Sequence, residues 1–284
     1  MRIPRSKDLS LASGKSGFLM LLPLLGFVVV LVIIPLINVI NTALAGSPAT
    51  NFAKFFESPA QRKALLLTFS ASFGVSIVAV SLGAMIAWWL ATSRRPFVRA
   101  IIWASVLAPF WMGVVIKNYA LVVVFAKNGP INYVLGWFGI PPSSMLYTIG
   151  AVVVGMIYSM MPYAVLPLYA GFRRLNFNQL RAAESLGATR LYAWVTVVLP
   201  AVAATLFGSL VIVFVISLGF YITPVLLGGL QVPFMATLIS QDLFQYYNLT
   251  NAAVSSTILI VSTVFVLFGA ILIIGWKRLE RAIL

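Results

Sequence analysis

Six long stretches of the chain contain no charged residue: 16–53, 64–93, 100–116, 128–172, 191–241 and 243–276. A helix that crosses a bilayer needs about 20 predominantly apolar residues, so each stretch holds one span or nearly one. Only 8% of the 284 residues are charged, whereas a soluble domain carries about a quarter. The sequence therefore predicts an all-α polytopic membrane protein with six transmembrane helices. Their apolar cores lie near 18–40, 65–90, 100–125, 148–170, 195–220 and 254–274.

The distribution of Lys and Arg orients these helices. Cytoplasmic loops carry an excess of both residue types, and a cytoplasmic N-terminus places fourteen of the 19 basic residues inside. Both termini are then cytoplasmic, and the net charge of +14 is an orientation signal rather than a nucleic-acid-binding surface. The fourteen residues are Arg2, Arg5, Lys7, Lys15, Arg94, Arg95, Arg99, Arg173, Arg174, Arg181, Arg190, Lys277, Arg278 and Arg281.

The first apolar stretch has one feature of a cleavable signal peptide, the small-x-small pattern Ala43-Leu44-Ala45. Its apolar core of about 23 residues exceeds the 7–15 residues usual in a signal peptide. We therefore expect residues 1–63 to comprise a cytoplasmic arm, an uncleaved first transmembrane helix and an outer loop.

The residue types missing from the chain exclude several functions. There is no Cys, no His and only five Asp and Glu residues. These absences exclude thiol catalysis and the commonest metal ligand, and they leave little for a carboxylate metal site, so we expect no metal. There is no G-x-x-x-x-G-K-S/T phosphate loop, so we expect this chain neither to hydrolyse ATP nor to bind a cofactor. A secondary carrier, which remains an alternative, would need ionisable residues within its spans, and the sequence nearly lacks them.

One cytoplasmic segment, residues 173–200, is longer than a turn. Asn176 or Asn178 can cap the start of a short helix. Gly187 can adopt the left-handed conformation that ends it, and Thr189 can cap a second helix. The sequence thus predicts a helix–turn–helix element on the cytoplasmic face, of a shape that suits docking into a groove of a partner.

The same segment carries a spaced pattern, A-A-x-x-x-G over 182–187 and, after nine further residues, V-x-L-P over 197–200. It resembles the signature of type I ABC importer permeases, Glu-Ala-Ala, three residues, Gly, nine residues and Ile-x-Leu-Pro. Arg181 stands where that signature has Glu, and Glu184 follows three residues later. The resemblance implies a coupling loop that docks on an ATPase subunit. It comprises Arg181, Ala182, Ala183, Glu184, Gly187, Leu199 and Pro200.

A wider resemblance covers about residues 64–275, which we predict to form the permease domain, followed by a cytoplasmic tail at 276–284. It is carried by A-P-F-W (108–111), K-N-Y-A (117–120), N-G (128–129), I-N (131–132), P-Y (162–163), L-P-L-Y (166–169), S-L-G-F-Y-I-T-P (217–224) and L-L-G-G (226–229). These segments resemble the spermidine/putrescine permease family.

This resemblance implies a type I importer permease in the bacterial inner membrane. Its expected partners are membrane lipid, a distinct second permease, an external solute-binding protein and an ATPase dimer that holds ATP and Mg. The expected solute is a polyamine such as spermidine or putrescine. An opine, an aminophosphonate or an amino-acid-like compound is the alternative within the same transporter class.

A translocation path for a polyamine would be expected to contain a carboxylate and aromatic rings that attract a cation. Asp242 is the only acid in the outer half of the chain after Glu57. It serves either this path or a contact with the binding protein. The predicted path residues are Trp111, Tyr119, Phe220, Tyr221 and Asp242.

Three further expectations concern the outer side. Residues 128–147 predict a short amphipathic helix at the interface. Residues 221–250, interrupted by Gly-Gly, predict either a re-entrant element that lines a cavity or an external loop. By helical rise Lys117 lies about 27 Å from Arg99, so we expect its side chain to extend to the outer interface.

Overall fold

The structure, a computed structural model, describes residues 15–274. This part of the chain is helical and contains no strand, which confirms the predicted all-α class for it. The predicted N-terminal arm before residue 15 and the tail at 276–284 lie outside the described residues. The helices are α1 (Lys15–Leu44), α2 (Pro48–Glu57), α3 (Pro59–Thr92), α4 (Pro96–Trp111), α5 (Val114–Phe125), α6 (Pro130–Gly136), α7 (Ile149–Arg173), α8 (Phe177–Ser185), α9 (Arg190–Ala193), α10 (Leu199–Leu218), α11 (Met235–Phe244) and α12 (Leu249–Ile274).

Within residues 15–274, six helical stretches are long and apolar enough to cross a bilayer. This confirms the predicted number. Five of the six predicted cores agree with these stretches to within a few residues. The stretches are Leu22–Leu44, Pro59–Thr92, Val114–Gly136, Ile149–Arg173, Arg190–Leu218 and Leu249–Ala270.

The third predicted span, residues 100–125, is not one helix. α4 ends at Trp111, the backbone at Met112 and Gly113 is non-helical, and α5 begins at Val114. Glycine has a poor helix propensity, and Pro109 in the last turn of α4 lacks a backbone N–H donor. The prediction of a continuous helix is therefore wrong. The span of sufficient length is Val114–Gly136, and α4 is a shorter apolar helix.

The centre of the bundle is formed by α3, α7 and α10. Small residues bring these helices close together. A Cβ atom on Gly83 would lie 2.9 Å from the Cβ of Ala164, and one on Gly171 would lie 2.9 Å from the Oγ1 of Thr205. Transmembrane helices associate through such close packing because lipid provides no hydrophobic drive between them.

The first helix packs beside this centre, on α12 and α2. Its apolar side chains are largely exposed, as at Leu24 (60%) and Phe27 (63%), which fits a helix that faces lipid along most of its length. The sequence did not predict α2. Its Phe55 is fully buried in a cluster with Met235 and Val254, so α2 joins α1 to the rest of the bundle.

Between α10 and α12 the chain forms a broken segment, which we call the bent segment. A π-helical turn (Pro224–Gly228) and a 3₁₀ turn (Gly229–Gln231) meet α11 at an angle of 83°. Met235, at the start of α11, is fully buried, and its N–H donates to the Thr68 hydroxyl on α3 at 2.9 Å. The bent segment thus packs against α3 and does not extend as a free loop.

The helix predicted within 128–147 is present but short. α6 spans seven residues, and the chain then continues to α7 through turns and irregular backbone. Asn132, in α6, is buried and donates to the carbonyl oxygens of Ala126 at 2.9 Å and Ser143 at 2.7 Å. One side chain thus holds both ends of this connection together, because it satisfies backbone groups that no helix pairs.

Candidate functional site: the coupling loop and the translocation path

Side-chain caps fix the starts of the two helices in the predicted coupling loop. The Asn176 Oδ1 accepts a hydrogen bond from the N–H of Asn178 at 3.0 Å, at the start of α8. The Thr189 Oγ1 accepts one from the N–H of Tyr192 at 3.3 Å, at the start of α9. A cap of this kind contributes about 1 kcal/mol. The caps predicted at Asn176 and Thr189 are confirmed.

A glycine ends α8, as predicted. Gly187 has a φ of +89°, a region in which a Cβ atom is strained. Its N–H donates to the carbonyl of Glu184 at 3.0 Å, and the N–H of Ala188 donates to the carbonyl of Ala183 at 3.1 Å. This pair of bonds satisfies the last carbonyls of α8 and turns the chain sharply towards α9.

The residues predicted to dock on a partner lie on the surface at one end of the bundle, together with the arginines of 94–99 and 173–174; we call this the basic end. Arg181, Ala182, Glu184 and Gly187 are exposed, and Ala183 is half-buried. Beside them Leu186, Leu191 and Tyr192 expose 89%, 76% and 64% of their surface. A groove of about 550 Å³ is lined by Ala183, Leu186, Gly187, Ala188, Thr189 and Tyr192. Clustered apolar exposure of this kind indicates a contact surface.

Glu184 forms an ion pair with Arg190, which joins α8 to α9. Its carboxylate lies 3.9 Å from the Arg190 guanidinium, and the two side chains are 41% and 97% exposed. An ion pair so exposed to solvent adds little stability. Both charges are therefore available to a partner surface, with the exposed Arg181 on the same helix.

Leu199 and Pro200, the other end of the signature, begin α10 and lie outside the exposed turn. A π-helical turn, Trp194–Val198, precedes them, and the N–H of Leu199 donates to the carbonyl of Trp194. A proline inside an α-helix clashes with the carbonyl four residues earlier, and a wider turn relieves that clash. The signature thus joins the exposed turn to the base of a transmembrane helix.

Four aromatic residues connect the loop to the bundle; we call them the Trp88 cluster. The indole of Trp88, near the end of α3, lies 5.4 Å from the ring of Phe172, 6.1 Å from Phe177 and 6.0 Å from Trp194, measured between ring centroids. Phe172 lies in the last turn of α7, Phe177 begins α8 and Trp194 begins the π turn. One side chain therefore contacts all three segments that surround the loop.

The predicted path residues have different surroundings, and their role in a path stays a prediction. Trp111 and Tyr119 are 81% and 57% exposed on α4 and α5, and the ring of Trp111 packs on Phe110 at 6.2 Å. Tyr221 instead borders a cavity of about 210 Å³ beside α11, and its hydroxyl accepts from Ser240 at 3.0 Å. That cavity is lined by Tyr221, Val225, Gly229, Leu230, Thr237, Ser240, Gln241 and Gln245. The structure thus brings Tyr221 to the bent segment and leaves Trp111 and Tyr119 on a surface.

Asp242 is engaged in a chain of side-chain hydrogen bonds. Its carboxylate accepts from the amide of Asn251 on α12 at 2.7 Å. The Asn251 amide oxygen accepts in turn from the amide of Gln61 on α3 at 3.0 Å. Asp242 is half-buried and Gln61 is buried. The carboxylate predicted for the path therefore also links α11, α12 and α3.

Lys117 does not extend to the interface as we expected. Its side chain is only 9% exposed, and the neighbouring Asn118 is fully buried. A position at the interface requires one continuous helix from Arg99 to Lys117, whereas the chain is broken at Met112 and Gly113. The position of α5 is therefore not set by continuation of α4. α5 packs instead against the π turn of the bent segment.

The structure contains several buried polar groups that the sequence prediction did not include. The Oδ1 of Asn118 and the hydroxyls of Ser159 and Thr223 are buried without a hydrogen-bond partner among the described residues. A Cβ on Gly155, one turn from Ser159, would lie 3.0 Å from Thr223 Cγ2 and 3.3 Å from Leu121 Cδ1, so α5, α7 and the bent segment meet here. Polar residues in apolar spans are functional candidates, and that signal was available in the sequence.

A family model for the binding-protein-dependent transport system inner membrane component matches residues 77–283. This match covers well over half of the chain and includes the coupling loop and the bent segment. The chain belongs to this family. It is a membrane permease of the ABC importer class. The predicted domain boundaries at residues 63 and 275 stay predictions.

Relatives of this permease belong to transport systems for polyamines and for other solutes. It is 25% identical over 273 residues to the spermidine/putrescine transport system permease protein PotB of Escherichia coli (strain K12), covering 91% of this chain and 96% of the relative. It is 24% identical to the molybdenum transport system permease protein ModB of Azotobacter vinelandii, covering 64% and 79%. The predicted resemblance to the polyamine permease family is confirmed.

The fold of the permease is that of solved ABC transporters. A crystal structure of the bacterial alginate ABC transporter, in complex with an alginate pentasaccharide-bound periplasmic protein, matches with a TM-score of 0.75. The match covers 89% of this chain and 91% of that one at 19% identity. The predicted permease fold is thereby confirmed.

Proposed function

We propose that this permease forms one half of the translocation path of an ATP-driven importer for a polyamine such as spermidine or putrescine. The observation that carries the proposal is the similarity to PotB over nearly the whole of both chains. Sequence identity near 25% supports a shared fold and a shared class of transporter more strongly than a shared solute. The solute therefore has to be tested directly.

We further propose that ATP hydrolysis by a partner subunit drives transport. The turn formed by α8, Gly187 and α9 docks on an ATPase subunit, which supplies ATP and Mg. The exposed Leu186, Leu191 and Tyr192 around the groove support this role, because an apolar surface beside charged residues at the end of the bundle suits a protein contact. A dimer of such ATPase subunits serves this permease and a distinct second one.

Orientation and delivery complete the proposal. The permease lies in the bacterial inner membrane with both termini and the basic end in the cytoplasm, as the positive-inside rule favours. An external solute-binding protein delivers the solute to the opposite end. The crystal structure of the alginate transporter with its periplasmic protein supports a partner of this kind.

A second solute class is favoured by one specific observation. Asp242 is the only acid of the bent segment, and its carboxylate is engaged by Asn251. A path with so little free negative charge suits a solute with fewer positive charges than a polyamine. Opines, aminophosphonates and amino-acid-like compounds fit this description. The scarcity of ionisable residues in the spans argues against a secondary carrier.

The decisive experiment is uptake by the complete transporter in proteoliposomes. Labelled spermidine is supplied with the binding protein outside and ATP inside, and unlabelled putrescine, an opine, an aminophosphonate and an amino acid compete. We expect ATP-dependent uptake that only the polyamines reduce. Uptake reduced by an opine or an aminophosphonate but not by putrescine would replace the polyamine assignment. Uptake that persists without ATP and collapses with the ion gradient would indicate a secondary carrier.

A further inference from the structure

The Trp88 cluster is the aromatic connection between the coupling loop and the transmembrane helices. Trp88 meets Phe172 and Trp194 nearly edge to face, at interplanar angles of 76° and 77°, and Phe177 at 48°. Edge-to-face contacts are the preferred arrangement of aromatic rings, because a positive ring edge meets a negative face. Trp88 thus makes edge-to-face contacts with α7 and the π turn, and a tilted contact with α8.

The helix α8 contacts this cluster through Phe177. None of the residues of α8 is fully buried, so no side chain of this helix lies within the core. Phe177 and Leu180 are half-buried and pack against the bundle. A helix attached through so few apolar side chains takes its orientation from those contacts, and the contact of Phe177 with Trp88 is one of them.

The helix that carries Trp88 reaches the opposite end of the bundle. α3 has 34 residues and is therefore about 51 Å long. Some 20 residues before Trp88, the hydroxyl of Thr68 accepts the N–H of Met235 in the bent segment. Gln61 joins the same helix to Asn251. A displacement of α3 at Trp88 is thus applied to a helix that is hydrogen-bonded to the bent segment.

We propose that Trp88 is a positioning residue that carries movement of the coupling loop into α3, and through α3 to the bent segment. The inference rests on the proposed docking of the loop on an ATPase. Leu in place of Trp88 cannot reach all three rings, so α8 would move without moving α3. ATP hydrolysis would then continue with little transport.

The chain offers a matched control in Trp103. Its ring lies 4.9 Å from Tyr169 at 90° and joins α4 to α7, whereas α8 takes no part in this contact. W103L removes a similar edge-to-face contact at the same end of the bundle. A loss that is general to aromatic packing would therefore appear in W103L as well as in W88L.

The first measurement tests position and needs no partner. Trypsin cleaves the purified permease at exposed arginines, of which Arg181 and Arg190 lie in the loop and Arg94 lies outside it. We expect W88L to raise the cleavage rate at Arg181 and Arg190 at least fivefold relative to Arg94, and W103L to leave the ratio within twofold. An unchanged ratio in W88L, or an equal change in W103L, would overturn the proposal.

The second measurement tests coupling in the complete transporter. Uptake and ATP hydrolysis are recorded in the same proteoliposomes, and their ratio is compared at equal amounts of assembled complex. We expect the ratio to fall at least fivefold in W88L, to stay within twofold in W103L, and to recover in W88F. A normal ratio in W88L would overturn the coupling role. A parent transporter without ATP-driven uptake would instead refute the proposed function, while the cleavage ratio would still decide the position of α8.

Discussion

The carboxylate of Asp242 accepts a hydrogen bond of 2.7 Å from the side-chain amide of Asn251, nine residues further along the chain. Because Gln61 donates to the same Asn251, this acid joins α11 and α12 to α3. A residue that looks like a solute ligand in the sequence is thus also a structural link. Substitution of Asp242 and substitution of its partner Asn251 distinguish a role in solute binding from a structural role.

The first prediction compares D242N with N251A in uptake. N251A breaks the hydrogen bond and keeps the carboxylate, whereas D242N removes the charge and keeps an acceptor. If Asp242 attracts a cationic solute, D242N should raise the KM of uptake about tenfold and N251A by less than twofold.

The same pair gives a prediction for stability. Loss of a charge-assisted bond costs about 1.5–3 kcal/mol, so thermal unfolding in detergent should show a larger loss for N251A than for D242N. Equal KM values for D242N and the parent protein would leave Asp242 with the structural role alone.

The second prediction concerns the end of the coupling helix. Gly187 has a φ of +89°, and no atom lies within 4 Å of the position that a Cβ would occupy, so a side chain there is strained by the backbone and not by its neighbours. A left-handed conformation costs other residues about 1–2 kcal/mol, and more for β-branched ones. We expect G187V to abolish stimulated ATP hydrolysis and uptake while membrane insertion remains normal.

Gly208 provides the control for this prediction, because it lies within α10 and a Cβ there would also have no atom within 4 Å. We expect G208A to insert and transport normally, since alanine favours a helix more than glycine does. Normal coupled transport by G187V would contradict the assignment of this loop.

The structure of the coupling loop could be predicted because its signals are local. The Asn176 cap, the Gly187 turn and the Thr189 cap each depend on residues within about five positions, and all three are present. The burial of Lys117 could not be predicted in the same way. It depends on the packing of α5 against Pro224–Gly228, about 100 residues away, which hydrophobic periodicity does not describe.

A third prediction tests the hydrogen bond that holds the bent segment. Thr68 Oγ1 accepts from the buried N–H of Met235 at 2.9 Å and donates to the carbonyl of Ala64 at 2.7 Å. T68V keeps the shape and leaves that N–H unpaired, which costs about 1–3 kcal/mol. We expect a lower unfolding temperature for T68V and recovery in T68S.

Thr257 is the matched control for T68V. It is also buried, but its hydroxyl donates only to Ala253 within its own helix. T257V therefore leaves no N–H without a partner and should cost less than T68V. Equal unfolding temperatures for T68V and T257V would show that the bond to Met235 contributes nothing.

A fourth prediction concerns the contact of α7 with the bent segment. A Cβ on Gly155 would lie 2.5 Å from Leu227 Cδ1 and 3.0 Å from Thr223 Cγ2. Overpacking of this kind costs about 1–3 kcal/mol, so G155A should lower the unfolding temperature, while G74A, with no atom within 4 Å, should not. The nearest atom is the Cδ1 of Leu227, which L227A removes, so L227A should relieve the clash. The double variant G155A/L227A should then be more stable than the two single losses predict by addition, and strict additivity would mean that Gly155 and Leu227 do not meet.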